Sequence, residues 1–271
     1  MAARTDWLEV GDRIFTRRYR YLDQQIGVIL GDGQALVIDT RATSADAREL
    51  QADLRRLTRH PVTTAVNTHW HWDHAFGNHA FRPVVIWGHE RCRERLLADG
   101  ATERAKQAAD DPARRADFEA VVIDPPERTL TIAADVDVGG RRVELRYLGR
   151  GHTDGDIVVI VPDAGVLFAG DLLENDAVPW FDDGYPMDWP DTVERLLALV
   201  AGPVVPGHGS IGNRGFVERQ LADFRAVADV ARRVDAGDLS RAAALADMPY
   251  RADAAESPLD RALAQLRGDL G

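Results

Sequence analysis

Short apolar strands alternating with amphipathic helical stretches predict an α/β fold for this chain. Residues 157–161, Ile-Val-Val-Ile-Val, form an unbroken apolar run suited to a strand covered on both faces. Beyond about residue 213 the apolar periodicity is helical only, which adds a helical tail to the α/β body.

Each element follows from local chemistry. Residues 26–30 and 35–38, joined through Gly31-Asp32-Gly33, read as a hairpin. Ser44 is placed to cap a helix whose Ala47, Leu50, Leu54 and Leu57 share one face. A strand over 62–66 follows, then one over 84–87 entered through Pro83, a residue suited to a strand's first position. Residues 90–120 are charged and Ala-rich, predicting helix punctuated at Gly100 and Pro112. Strands recur between 129 and 168, the last closing on Asp171, and a helix over 192–200 precedes a strand ending near His208. In the tail, Val217, Leu221, Phe224 and Ala228 line one helical face. Residues 239–246 predict a second helix, and Leu259, Leu263 and Leu266 a third. The chain is therefore divided into a main domain, 1–213, and a helical extension, 214–271, packed on it.

The chemistry is concentrated in Thr68-His69-Trp70-His71-Trp72-Asp73-His74. Imidazole and carboxylate are ligands for zinc and similar divalent cations. In a loop leaving the 62–66 strand, His69 and His71 can face one side while Asp73 and His74 turn to a second site. His152 stands in the Gly-rich turn Gly149-Arg150-Gly151-His152-Thr153, Asp171 ends Val166-Leu167-Phe168-Ala169-Gly170-Asp171, and His208 follows Pro206-Gly207. Each of these segments is expected to begin where a strand stops, which collects them along one sheet edge.

His69-x-His71-x-Asp73-His74, then His152, Asp171 and His208, resembles the metallo-β-lactamase superfamily of metal-dependent hydrolases over about residues 10 to 215. The resemblance implies a four-layer αββα sandwich of two mixed β-sheets flanked by helices. Carried over by position, His69, His71 and His152 are implied as ligands of one metal. Asp73, His74 and His208 are implied as ligands of the second, with Asp171 bridging both. Asp39, before Thr40, matches an acidic residue that supports the histidine loop by fixing a ring's orientation and tautomer. Two departures stand out. Asp171 occupies a position held by cysteine in the nearest type of β-lactamase and by Asp in glyoxalase II. Asp156 stands where glyoxalase II usually has histidine.

The implied cofactors are two divalent ions, zinc foremost, with iron or manganese compatible because no thiolate biases the set. Such ions would lower the pKa of a shared water from ~15.7 towards neutrality. Asp171 and Asp73 are the candidate catalytic carboxylates, the second orienting the nucleophile or relaying its proton. The implied reaction is hydrolysis of an ester, thioester, lactone or amide carbonyl, β-lactams included. The alternatives are a mononuclear iron oxidoreductase of the persulfide dioxygenase type and a phosphodiesterase or nuclease of the same fold.

The remaining features narrow the class. A formal charge of −11 disfavours nucleic acid and acidic membranes as partners and leaves a small-molecule substrate. No apolar run approaches a membrane span, and Met1 to Asp6 lacks a leader pattern, so the expected location is cytoplasmic. Cys92 is the single cysteine and reads as structural. Aromatics in the Pro/Gly-rich loop 178–186, Trp180 and Phe181, are expected to wall the substrate pocket. Trp70 lies beside the ligands and Tyr21 on the opposite side. His89 is expected at a helix start in a capping role.

Overall fold

A computed structural model describes residues 6–270. The reading of the amino terminus as leaderless falls largely on residues 1–5, outside that range. The strands in chain order are β1 (Leu8–Gly11), β2 (Ile14–Tyr19), β3 (Gln24–Leu30), β4 (Ala35–Ile38), β5 (Val62–Val66), β6 (Val85–His89), β7 (Arg128–Leu130), β8 (Ala133–Val138), β9 (Arg141–Tyr147), β10 (Ile157–Val161), β11 (Val166–Glu174) and β12 (Val204–His208). The helices are α1 (Ser44–Leu57), α2 (Trp72–Ala75), α3 (Glu90–Asp110), α4 (Arg115–Glu119), α5 (Trp189–Leu199), α6 (Arg214–Asp235), α7 (Arg241–Asp247) and α8 (Glu256–Arg267).

Side-chain alternation sorts these elements into four layers. Ile157, Val159 and Val161 of β10 face an inner core with Val166, Phe168 and Val205, met from the other sheet by Ile29, Leu36, Ile38 and Val66. Val158 and Ile160, pointing the opposite way, pack with Val193 of α5, Phe224 of α6 and Leu259 and Leu263 of α8. On the far side, Ala47, Leu50 and Leu54 of α1 cover Val28, Val37 and Ala65. Helix, sheet, sheet, helix is the order, as the resemblance implies. Each sheet mixes parallel and antiparallel pairs: β4·β5 and β11·β12 run parallel, β3·β4 and β9·β10 antiparallel. The two sheets are not fully separate. His208 of β12 pairs with Gln24 of β3, a single contact that stitches them into one continuous ladder beside the histidines.

Several local expectations are corrected. The cap of α1 is Thr43, not Ser44: its Oγ1 accepts from the Asp46 N–H at 3.2 Å, one residue earlier than the periodicity suggested. Helix α3 runs through Gly100 without a break; a Cβ there would crowd Ile123 at 3.0 Å, so glycine lets the helix pack closely at that point. β11 does not stop at Asp171 but continues to Glu174. Gly170, at φ +53°, and a register shift against β12 turn the carboxylate out of the ladder in mid-strand. Among the described residues, no helix is long and apolar enough to cross a membrane.

Candidate metal centre

The histidine motif is built by a strand end feeding a very short helix. β5 ends at Val66, Thr68 to His71 are irregular, and His71 is the cap residue of α2, which carries Asp73 and His74 in its first turn. That geometry separates the donors into two sets. The ligand atoms of His69, His71, His152 and Asp171 lie within 4.8 Å of one another, as do those of Asp73, His74 and His208. Asp171 reaches into both sets: its carboxylate oxygens stand 3.7 Å from His69 Nε2, 3.5 Å from His152 Nε2, 3.3 Å from His74 Nε2 and 3.2 Å from His208 Nε2. Asp73 Oδ2 lies 3.2 Å from both His74 Nε2 and His208 Nε2.

The donor set fits divalent cations. Tetrahedral coordination at ~2.0–2.1 Å separates ligand atoms by about 3.4 Å, and the close contacts between donors here run from 2.7 to 3.7 Å, with all of them within 4.8 Å in each set. His69 Nε2 and Asp171 Oδ1 are buried without a hydrogen-bond partner among the described residues, a costly state for polar atoms that a bound cation would relieve. Each of the five rings has its outward nitrogen engaged. His69 Nδ1 meets Thr68 Oγ1 at 3.0 Å, His74 Nδ1 meets Asp39 Oδ2 at 2.8 Å, and His71 Nε2 meets Asp183 Oδ2 at 3.0 Å. His152 Nδ1 faces the Trp180 carbonyl at 3.1 Å and His208 Nδ1 the Leu22 carbonyl at 2.8 Å. Such partners fix the tautomer and aim the remaining lone pair inward.

The buried rings and carboxylates hold each other's charge: against their own burial, His74 and His208 are kept well above the usual imidazole range by Asp171 and Asp73. Burial pushes His152 down to about 4, so its ring is neutral at physiological pH. Burial alone would raise Asp171 and Asp73, but the facing histidines hold both carboxyls well below their usual range. Against its own burial, His71 is raised to about 9 by the Asp183 carboxylate.

Two backbone features make the arrangement possible. Asp39 sits in the left-handed region at φ +66°, and its carboxylate accepts from Thr68 N–H, Thr68 Oγ1–H and the His74 ring, which over-determine an otherwise strained residue. At Gly207 a Cβ would come within 1.7 Å of Asp171 Oδ1, so only glycine lets β12 pass the carboxylate.

The four residues expected to wall a pocket have different fates. Trp180 is 58% exposed beside His152, and Tyr21 is half-buried, edge-on to Trp72 at 6.3 Å. Trp70 is buried, with its indole N–H donating to Asp183 at 3.2 Å, so it braces the cage. Phe181 is no wall: it points into the core against Trp189, Phe224 and Tyr250, because a large apolar ring gains more from that aromatic cluster than from the solvent side of its loop. His89 caps α3 through Nδ1, accepting from the Arg91 N–H, and Cys92 is buried, its thiol raised by that burial. Asp183, absent from the expected set, is 112 positions from His71 and carries no local signal. A cavity of about 610 Å³ lies among Leu54, His60, Phe81 and Pro83, at the opposite ends of the parallel strands from the histidines.

A layered α/β protein with paired histidine–carboxylate sets at one sheet edge is thus defined. The family model for the metallo-beta-lactamase superfamily matches residues 20–208, and the chain belongs to that superfamily. It is similar to the metallo-beta-lactamase type 2 of Bacteroides fragilis, 26% identical over 70% of this chain and 71% of the relative. It is also similar to the human acyl-coenzyme A thioesterase MBLAC2, 25% identical over 88% of this chain and 92% of the relative. A metallo-beta-lactamase from Pontibacter korlensis shares the fold, with a TM-score of 0.64 at 22% identity over 81% of this chain and 98% of that one. The protein is a hydrolase of this superfamily, with groups that can bind metal.

Proposed function

We propose that the protein is a dinuclear metal-dependent hydrolase of activated acyl carbonyls, thioesters first among them. The observation that carries this is the single Asp171 carboxylate within reach of nitrogens from both donor sets. His69, His71, His152 and Asp171 would hold one cation, and Asp73, His74, His208 and Asp171 the other. The donors are nitrogen and oxygen only, a set that suits zinc and also accepts iron or manganese. When bound, such ions supply Lewis acidity, making water acidic enough to ionise near neutral pH and polarising a carbonyl oxygen.

The chain's own groups do the rest. Asp73, held ionised, orients the attacking water and accepts its proton. The buried cage excludes bulk solvent behind the reacting atoms and opens where His71 and His208 are part-exposed. Leu22, 42% exposed, and Trp180, 58% exposed, flank that opening through the same two residues whose carbonyls brace His208 and His152, and they offer apolar surface to an acyl chain. The thioesterase's longer alignment favours a thioester over a β-lactam, as does Asp171 in place of a thiolate. In this reading residues 1–213 hold every donor, and 214–271 form the helical face behind them.

The test is a panel of thioester, lactone, phosphodiester and β-lactam substrates on protein of measured metal content. Thioesters are expected to turn over fastest, with His71→Ala and Asp171→Ala at background and circular dichroism unchanged. Preference for a phosphodiester, or one iron per chain with sulfur-dependent oxygen uptake, would replace the proposal.

A further inference from the structure

We infer that helix α8 holds the His71/His152 half of the cage in place, acting through a loop in which Asp183 is the positioning residue. This rests on the metal reading above and goes beyond it by giving the C-terminal helix a share in the centre.

The connection is continuous in hydrogen bonds. Ser257, Arg261 and Gln265 recur one turn apart along α8 and so share a face. Ser257 Oγ donates to Asp182 Oδ1 at 2.7 Å, Arg261 Nε donates to the Gly184 carbonyl at 2.7 Å, and Gln265 Oε1 accepts from the Met187 N–H at 2.8 Å. All three grip the loop that joins β11 to α5. Phe181, between the gripped residues and Trp180, is sunk in a core cluster that also holds Leu259 and Leu263 of α8. From this pinned loop two groups turn the other way, towards the cage. The Trp180 carbonyl meets His152 Nδ1, and the Asp183 carboxylate takes both the Trp70 indole N–H and the His71 ring.

His71 is the donor that depends most on such help. Its Nδ1 faces inward, 2.7 Å from His152 Nε2, which leaves Nε2 on the outer side, where the Asp183 carboxylate meets it at 3.0 Å. A carboxylate there fixes the ring's rotation and makes the inward nitrogen a stronger donor. The other set owes nothing to this loop: His74 is braced by Asp39 and His208 by the Leu22 carbonyl. Loss of the α8 grip should therefore weaken one metal position and spare the second.

The experiment titrates metal-free protein with Co(II), read by visible absorption, with circular dichroism as the check on folding. The parent should bind in two steps. Asp183→Ala, and the triple variant Ser257→Ala/Arg261→Ala/Gln265→Ala, should each weaken one step by about 10–100-fold and leave the other at the parental value. Asp183→Asn should recover part of the loss, since an amide oxygen still accepts from the His71 ring. Arg241→Ala removes an exposed pair between α7 and Asp260 of α8 without touching the loop, and should bind as the parent does. If the triple variant loses its folded spectrum, the single variants Ser257→Ala and Gln265→Ala decide, each expected to weaken the same step by a smaller factor. Both steps unchanged in the folded α8 variants or in Asp183→Ala, or both steps weakened alike, would overturn the inference. A parent that binds no cobalt would instead remove the metal reading beneath it.

Discussion

The two halves of the cage are supported by different kinds of structure. His74 and Asp73 lie on α2, braced by Asp39 at the end of β4, while the His74 carbonyl accepts from Thr40 N–H and from the Asn67 amide. Every one of those supports is buried at the ends of β4 and β5. His71 and His152 are braced instead by Trp180 and Asp183, residues of a loop secured from outside by α8. The first half is fixed by the framework and the second by a strap. Local opening costs less in loops than in core strands, so the second half is where affinity and rate are most open to adjustment.

That contrast can be broken most severely at the shared carboxylate. Gly207→Ala puts a methyl group where Asp171 Oδ1 lies, 1.7 Å from the built Cβ, and should disable both halves together. Thioester hydrolysis should fall to the level of Asp171→Ala while circular dichroism stays native. A next, smaller effect is expected from Phe181→Ala, which empties a core position and should cost roughly 3–5 kcal/mol in urea unfolding. It should also loosen metal binding in the strapped half alone. Asp39→Ala should act mainly on the framework side, lowering affinity at the Asp73/His74/His208 set by about 10–100-fold in chelator competition, with a smaller loss at the other set because Asp39 also holds Thr68, the partner of His69. The smallest effect belongs to Thr43→Ala, a lost helix cap worth about 1 kcal/mol by thermal or urea melts, with both metal positions unmoved.

The same contrast explains what the sequence could and could not convey. The hairpin of β3 and β4, the apolar face of α1 and the run 157–161 were legible because periodicity and turn residues are local signals. The seven donors were legible because their residue types are rare in apolar surroundings, and the structure brings all seven together. Asp39 belonged to the same tier, and it meets both Thr68 and His74. Asp183 was not legible: among 44 acidic residues nothing marks a loop aspartate as special until tertiary packing sets it against His71. Phe181 failed for a related reason, since a loop sequence shows that an aromatic is present but not which way it turns. The run into Asp171 looked like a strand end because the bulge at Gly170 leaves no periodic trace.

Two cations sharing Asp171 form the proposed centre, and elemental analysis of the purified chain tests it most directly. Parent protein should carry two divalent ions per chain, and Asp171→Ala, still folded, should retain neither at parental affinity. A single tightly held ion in the parent, unchanged on removal of that carboxylate, would contradict it.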